Sequence, residues 1–163
     1  MVGRLLDELQ QKRPFQRREE EAYLNLIRTA DLLRRSVAEL LKGHDLTPAQ
    51  YNVLRILRGA GDTLLSCSEV GSRLVTFEPD VTRLVDRLVT HGLADRLRAR
   101  QDRRVVRLRI TAKGLALLRR LDAAIVDVQT ERLGRLSDDR LVQLIELLEE
   151  LRAEPDAASS SAP

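Results

Sequence analysis

Arginine dominates one stretch of the chain, and its guanidinium group is well suited to binding phosphate and reading guanine. The segment from Pro79 to Lys113 carries ten Lys or Arg residues against four Asp, a net charge of +6, whereas the remaining residues together carry −3. Clustered positive charge neutralises the phosphates of a nucleic acid, and arginine also binds the edge of a guanine through two hydrogen bonds. The alternative is a basic surface that is merely solvated, but such surfaces usually mix the two signs more evenly. The cluster therefore favours a nucleic-acid-binding surface.

A short amphipathic helix is predicted at the start of this stretch, over Pro79–Leu88, with the proline in its first turn. Val81, Leu84 and Val85, together with the leucine that ends the segment, follow the spacing i, i+3, i+4, i+7, so one stripe of the helix is buried. The opposite stripe carries hydrogen-bonding side chains: Asp80, Arg83, Asp86, Arg87 and Thr90.

The arginines that follow lie on a predicted β-hairpin, with strands at residues 94–100 and 104–110. In the second strand Val106, Leu108 and Ile110 alternate with arginines, which is the period of a half-buried strand. A polar helix face beside an arginine-rich hairpin is typical of a winged helix-turn-helix on duplex DNA.

The rest of the chain is predicted to be helical, which gives a mainly α fold with a small β-hairpin wing. Thr47, Ser66 and Thr111 are predicted helix N-caps, and Glu69 completes a capping box with the serine. Gly43 is predicted to end a long helix over residues 16–42. The predicted division is an N-terminal extension (1–15) that frays or drapes over a partner, an N-terminal dimerisation helix (16–45), a winged helix-turn-helix domain (46–112), C-terminal dimerisation helices (113–152) and a disordered tail (153–163).

Apolar seams on the terminal helices predict a homodimer. Spacings of three and four residues separate Tyr23, Leu26, Ala30, Leu33, Val37 and Leu40, and the final helix repeats the pattern. Two winged helix-turn-helix domains (46–112, here called the heads) related by a two-fold axis match two half-sites about one helical turn of DNA apart.

Composition argues against several other classes of protein. No apolar run approaches the ~20 residues of a membrane span, and the N-terminus lacks the apolar core of a signal peptide, so we expect a cytoplasmic protein without a membrane partner. One cysteine and two separated histidines, His44 and His91, give no metal-ligand spacing. With no glycine-rich phosphate loop and no convergent acid, base or nucleophile, we expect neither enzymatic activity nor a cofactor.

Five segments, in register, resemble the MarR family of multiple-antibiotic-resistance regulators. They are LTPAQYNVL (46–54), VTRLVDRL (81–88), HGL (91–93), DRR (102–104) and ITAKG (110–114). The order and spacing match over about residues 20–152. The resemblance implies a two-fold symmetric dimer with interlocked terminal helices and two winged heads. It also implies a transcriptional regulator, more often a repressor. Many members of the family release DNA when a small molecule binds or a cysteine is oxidised.

Site residues are carried over by position. The resemblance implies that the helix at 79–88 enters the major groove, with Thr82 and Arg83 contacting bases or phosphates and Arg87 nearer the backbone. In the hairpin it implies that Asp102 pairs with an arginine and fixes the wing, while Arg104 reaches the minor groove. The predicted DNA-binding residues are Thr82, Arg83, Arg87, Arg98, Arg100, Arg103 and Arg104.

Two regulatory sites are also expected. Cys67, in a first helical turn, is either a redox sensor or, more simply, a small core residue. An effector of unknown identity would bind between the terminal helices and the head, facing Tyr23, Arg28, Tyr51 and Arg55, although the two tyrosines are more simply core residues.

Two other functions remain open at this point. An architectural protein would bind duplex DNA without sequence preference, and only the ratio of specific to nonspecific affinity separates it from a regulator. A helical module would use the same arginines to bind an acidic protein.

Overall fold

The computed structural model describes residues 4–98 and 106–153, with the exception of the side chain of Arg98. These residues form helices and one antiparallel hairpin, so the predicted mainly α class with a small β-hairpin is confirmed. The elements are α1 (Arg4–Glu8), α2 (Arg18–Lys42), α3 (Pro48–Gly59), α4 (Cys67–Ser72), α5 (Val81–Thr90), β1 (Ala94–Arg98), β2 (Val106–Ile110), α6 (Ala112–Leu133) and α7 (Asp138–Glu150).

The hydrophobic core joins the helix-turn-helix to the hairpin. Leu54 of α3, Leu88 of α5, Leu108 of β2 and Leu118 of α6 are all fully buried in one cluster. Burial of each such side chain stabilises the fold by roughly 1.5–3 kcal/mol. The core therefore holds α5 and the hairpin on the same scaffold.

Side-chain caps begin the helices where the sequence predicts them. The Ser66 hydroxyl accepts from the Glu69 N–H at 3.2 Å, and the Glu69 carboxylate accepts from the Ser66 N–H at 2.8 Å, which confirms the predicted capping box. Thr47 forms a second capping box with Gln50, and Thr111 caps α6.

One predicted helix start is wrong in detail, and one predicted helix end is confirmed. Pro79 precedes α5 instead of lying in its first turn, because Asp80 is the N-cap, with φ −130° and ψ 71°. At the end of α2, Gly43 is the C-cap, which confirms the predicted end; it keeps a right-handed conformation, and the left-handed residue of the following loop is Asp45, with φ 54°. Aspartate tolerates this region better than most side chains.

The N-terminal segment is more ordered than a fraying extension. Residues 4–8 form α1, Leu5 and Leu6 are buried, and Glu8 pairs with Arg28 of α2 at 2.7 Å. The expectation of fraying was wrong because it followed Pro14 and disregarded the leucines before it.

A third backbone segment anchors the hairpin. β1 and β2 pair in register from Ala94 opposite Ile110 to Arg98 opposite Val106. Leu65, just before α4, exchanges two backbone hydrogen bonds with Leu108, at 3.1 and 2.7 Å. The hairpin is thus fixed to the helix-turn-helix at its base.

The terminal helices leave apolar side chains uncovered within one chain. Tyr23 is 63% exposed, Ile27 of α2 is 54% exposed, and Ile145 of α7 is also 54% exposed. α7 buries none of its side chains. Among the described residues, no helix combines the length and the apolar character needed to span a membrane.

Gly114 lies where α6 packs tightly against the hairpin and the residues that lead into it. A Cβ atom there would lie 2.3 Å from the Leu93 carbonyl oxygen and 2.8 Å from Ile110 Cγ1. We expect Gly114→Ala to destabilise the protein by about 3 kcal/mol through overpacking. The control Gly59→Ala, which meets no atom within 4 Å at the end of α3, should be neutral or stabilising by up to ~1 kcal/mol. Urea denaturation measures both, and equal stabilities would contradict the close contact.

Candidate nucleic-acid interface

The N-terminus of α5 is held by a charged cap. An Asp80 carboxylate oxygen accepts from the Arg83 N–H at 2.9 Å. A carboxylate at this end of a helix also interacts favourably with the helix dipole. The cap thus gives Asp80 a structural task within the turn and orients the first residues of α5.

The exposed face of α5 presents two uncompensated cations. Arg83 and Arg87 are exposed and one turn apart, and neither pairs with a carboxylate among the described residues. Thr82 is exposed beside them, whereas the Thr90 hydroxyl donates to the Asp86 carbonyl at 2.9 Å. The structure therefore brings together Thr82, Arg83 and Arg87 of the predicted site.

Three of the hairpin arginines are engaged in ion pairs. Arg96 pairs with Asp86 of α5, Arg107 with Glu69 of α4 at 2.8 Å, and Arg109 with Asp95 of β1 at 3.1 Å. The net charge of +6 for the segment from Pro79 to Lys113 includes all three arginines as if they were available to bind phosphate. Their partners compensate that charge, so they connect elements of the head instead.

The tip of the hairpin lies outside the described residues. Arg100, Asp102, Arg103 and Arg104 belong to it, and of Arg98 only the backbone is described. Their roles in the wing stay predictions.

Glu69 connects two elements, α4 and β2, through one carboxylate. Its Oε2 accepts from the Ser66 N–H, from the Ser66 hydroxyl at 2.7 Å and from Arg107 at 2.8 Å. The hydrogen bonds from Ser66, first from its backbone N–H and then from its hydroxyl, and the charge of Arg107 lower the pKa of Glu69 below its ordinary value of 4.5. Sequence reasoning found the capping box but missed the arginine, because 38 residues separate the two partners.

A small cleft flanks α5 on the side of Arg87. Its volume is about 670 Å³, and its lining includes Lys42, Arg87 and His91 as well as Glu39 and Asp45. A helix in a major groove lies between two phosphate backbones. If α5 lies in a major groove, one of these phosphate backbones would pass along the flank of α5 that carries the basic residues of this cleft.

A larger cleft of about 1230 Å³ lies between α2, α3, α6 and the loop before α5. Arg28, Tyr51 and Arg55 line it, but the predicted fourth residue, Tyr23, does not, because it projects into solvent from α2. Arg28 is paired with Glu8, whereas Arg55 has no carboxylate partner among residues 4–98 and 106–153. Burial raises the pKa of the Tyr51 hydroxyl above its ordinary value of 10, and at neutral pH this hydroxyl, like that of an ordinary tyrosine, is a hydrogen-bond donor.

Cys67 is half-buried at the start of α4 and packs against the hydrophobic core. This position matches its use as a small packing residue.

The Glu69 contacts predict how stability depends on pH. A carboxylate with a lowered pKa in the folded state stabilises the fold above its unfolded pKa, and this stabilisation disappears as the pH falls through the folded value. We expect the wild type to lose more stability than Glu69→Gln between about pH 6 and pH 3, because glutamine does not titrate. Urea midpoints across this range measure the difference, and parallel curves would show that the Glu69 contacts contribute nothing.

Comparisons with known proteins agree with this architecture. Residues 44–105 match the MarR family model. The chain is 30% identical over 149 residues to the HTH-type transcriptional regulator PrsX of Escherichia coli, covering 90% of this chain and 87% of the relative. It is 37% identical to a MarR transcription factor from Planctomyces limnophilus, with a TM-score of 0.66 and coverage of 83% of this chain and 98% of the other. An Escherichia coli MarR variant solved with operator DNA is 28% identical, with a TM-score of 0.72 and coverage of 83% and 96%. The chain belongs to the MarR family of transcriptional regulators.

Proposed function

We propose that the protein is a homodimeric repressor that binds a pseudo-palindromic DNA operator. The observation that carries this proposal is the exposed face of α5, where Arg83 and Arg87 stand without carboxylate partners on a helix whose other face is fixed in the core. A dimer bound across two half-sites would exclude other proteins from that stretch of DNA. Duplex DNA as the ligand implies action in the cytoplasm.

The proposed docking assigns different tasks to the arginines of α5. Arg83 lies near the middle of the exposed face, beside Thr82, and is the residue we assign to the base edges. Arg87 lies on the flank that adjoins Lys42 and His91, where a phosphate backbone would run. In the wing, Asp102 pairs with an arginine, Arg98, Arg100 and Arg103 bind phosphates, and Arg104 enters the minor groove.

Uncovered apolar faces at both ends of the chain support the dimer. The exposed side chains of α2 and α7 include Tyr23, Ile27 and Ile145, and apolar exposure of this kind typically marks a protein interface. A second copy is the occupant that satisfies faces from both termini at once, and it supplies the two-fold axis that a palindromic operator requires.

The large cleft supports a second element of the proposal, release by a small anionic effector. Aliphatic side chains such as Leu33, Val37 and Leu84 form its walls, while Arg55 and Tyr51 supply a cation and a hydrogen-bond donor. A carboxylate attached to an apolar body fits this combination.

Binding-site selection from random duplex DNA, with excess competitor at physiological salt, tests the function. We expect a palindrome with half-sites about ten base pairs apart. Arg83→Ala should relax the preference at one position of each half-site, since a bidentate arginine contributes about 1–3 kcal/mol of discrimination. Arg119→Ala, an exposed arginine on α6, is the matched control.

Other outcomes separate the remaining functions. Binding without any enriched motif would favour an architectural protein, and binding to acidic protein in the absence of DNA binding would favour a helical interaction module. Arg87→Ala and Arg104→Ala should weaken binding to all sequences and lower the salt dependence by about one unit each. Unchanged operator affinity in all three arginine variants would contradict the docking.

The effector is tested with octanoate and benzoate as probes and octan-1-ol as the neutral control. We expect at least one carboxylate, but not the alcohol, to lower operator affinity. Arg55→Ala should remove this response and leave affinity in the absence of the probes unchanged, because Arg55 lies in the cleft and not on the DNA-facing side of α5. Titrations of operator binding measure both effects, and equal responses of wild type and variant would contradict a role for Arg55.

A further inference from the structure

Asp86 is a negative charge at a position where electrostatics alone disfavours one. It projects from the exposed face of α5, next to Arg87 in sequence and three residues from Arg83, and its side chain is 53% exposed. If α5 lies in the major groove as proposed above, this carboxylate comes close to two phosphate backbones that repel it. Phosphate binding is therefore not its task, and its contacts within the protein offer another.

The partner of Asp86 is an arginine of the hairpin that contacts α5 twice. Arg96 Nη1 pairs with Asp86 Oδ1, and Arg96 Nη2 donates to the Thr82 carbonyl oxygen at 3.4 Å. Thr82 and Asp86 are four residues, or about one helical turn, apart. A single guanidinium group from β1 therefore spans the first turn of α5.

This contact lies at the N-terminal end of α5, away from the short connection between α5 and the hairpin. Residues 91–93 join the C-terminus of α5 to β1, and the Leu93 N–H donates to the Leu88 carbonyl at 2.8 Å, so that end is tied to the hairpin directly. Thr82 and Arg83 lie at the opposite end. There Arg96 provides the polar connection to the hairpin.

We propose that Arg96 and Asp86 form a clamp that positions the N-terminal half of α5 relative to the wing. The clamp acts through Arg83, whose two hydrogen bonds to a base edge require a defined orientation of the helix. Neither member of the clamp needs to touch DNA. The proposal rests on the sequence-specific function proposed above.

The charge of Asp86 makes the test sharp, because two explanations predict opposite signs. Removal of a negative charge near DNA strengthens binding to every sequence if electrostatics alone matters. The clamp predicts instead that Asp86→Asn lowers operator affinity by about tenfold, a loss of the size of one base contact, while nonspecific affinity stays the same or rises. Fluorescence anisotropy with operator and scrambled duplexes measures both affinities.

Arg96→Lys separates positioning from direct phosphate contact. The lysine keeps the positive charge but cannot reproduce two contacts from one planar group. The clamp predicts a similar, about tenfold, loss of operator affinity with an unchanged salt dependence of nonspecific binding. A phosphate-binding role predicts little change in either quantity.

Two further measurements show whether the clamp acts through α5. In the Arg83→Ala background, Asp86→Asn should have almost no additional effect on operator affinity, since the two changes remove the same contact. In the DNA-free protein, hydrogen exchange of the amides of residues 82–90 should accelerate in both clamp variants. Asp95→Asn is the matched control, because it breaks the Arg109 ion pair within the hairpin without touching α5.

The outcomes distinguish the clamp from the function on which it rests. Wild-type affinities that are equal for operator and scrambled DNA would overturn sequence-specific recognition and, with it, the positioning role. A wild type that discriminates, together with Asp86→Asn and Arg96→Lys variants that discriminate equally well, would overturn the clamp alone.

Discussion

The burial of one stripe of α5 is the constraint on which the interface depends. Val85 and Leu88 have no exposed surface, and each contributes roughly 1.5–3 kcal/mol to stability. Rotation of the helix by one residue position, about 100°, would move this stripe out of the core. Side chains on the opposite face therefore determine which face of α5 carries Arg83. Because Leu108 of the hairpin belongs to the same core, this core positions both α5 and the hairpin.

Ion pairs refine this arrangement without contributing much to stability. The pairs made by Arg96, Arg107 and Arg109 are partly exposed, and such pairs are typically worth about 0–1 kcal/mol. Their effect is geometric, because each connects two elements of the head. They also compensate charges of both signs, which leaves the unpaired positive charge of the described residues of α5 on Arg83 and Arg87. Among the described residues, fewer arginines are therefore available to bind phosphate than their count indicates.

Local interactions made most of the fold predictable from the sequence. The periodicity of the apolar residues located α5 and β2, and the caps at Thr47, Ser66 and Thr111 located the starts of three helices. These signals act within one or two turns of chain.

The interactions that the sequence did not reveal join distant segments. Arg107 and Glu69 are 38 residues apart, and the two hydrogen bonds between Leu65 and Leu108 depend on the packing of the whole head. An arginine that pairs within the protein has the same local sequence pattern as one that faces solvent. For this reason the composition identified a basic surface but did not show which of its arginines are unpaired and which pair with carboxylates of the protein.

The large cleft and α5 share one segment of chain. The loop from Val75 to Glu78 forms part of the cleft wall and leads directly to Asp80, the cap of α5. Val75 donates its N–H to Asn52 Oδ1 at 2.9 Å, yet its side chain and that of Phe77 are almost fully exposed, so little apolar packing restrains the loop. A ligand alters DNA affinity only if it binds two arrangements of the protein with different strength. This loop is the described segment in which a group bound in the cleft would meet the position where α5 begins, and a small shift there would change the orientation of Arg83 while the buried stripe stays in place.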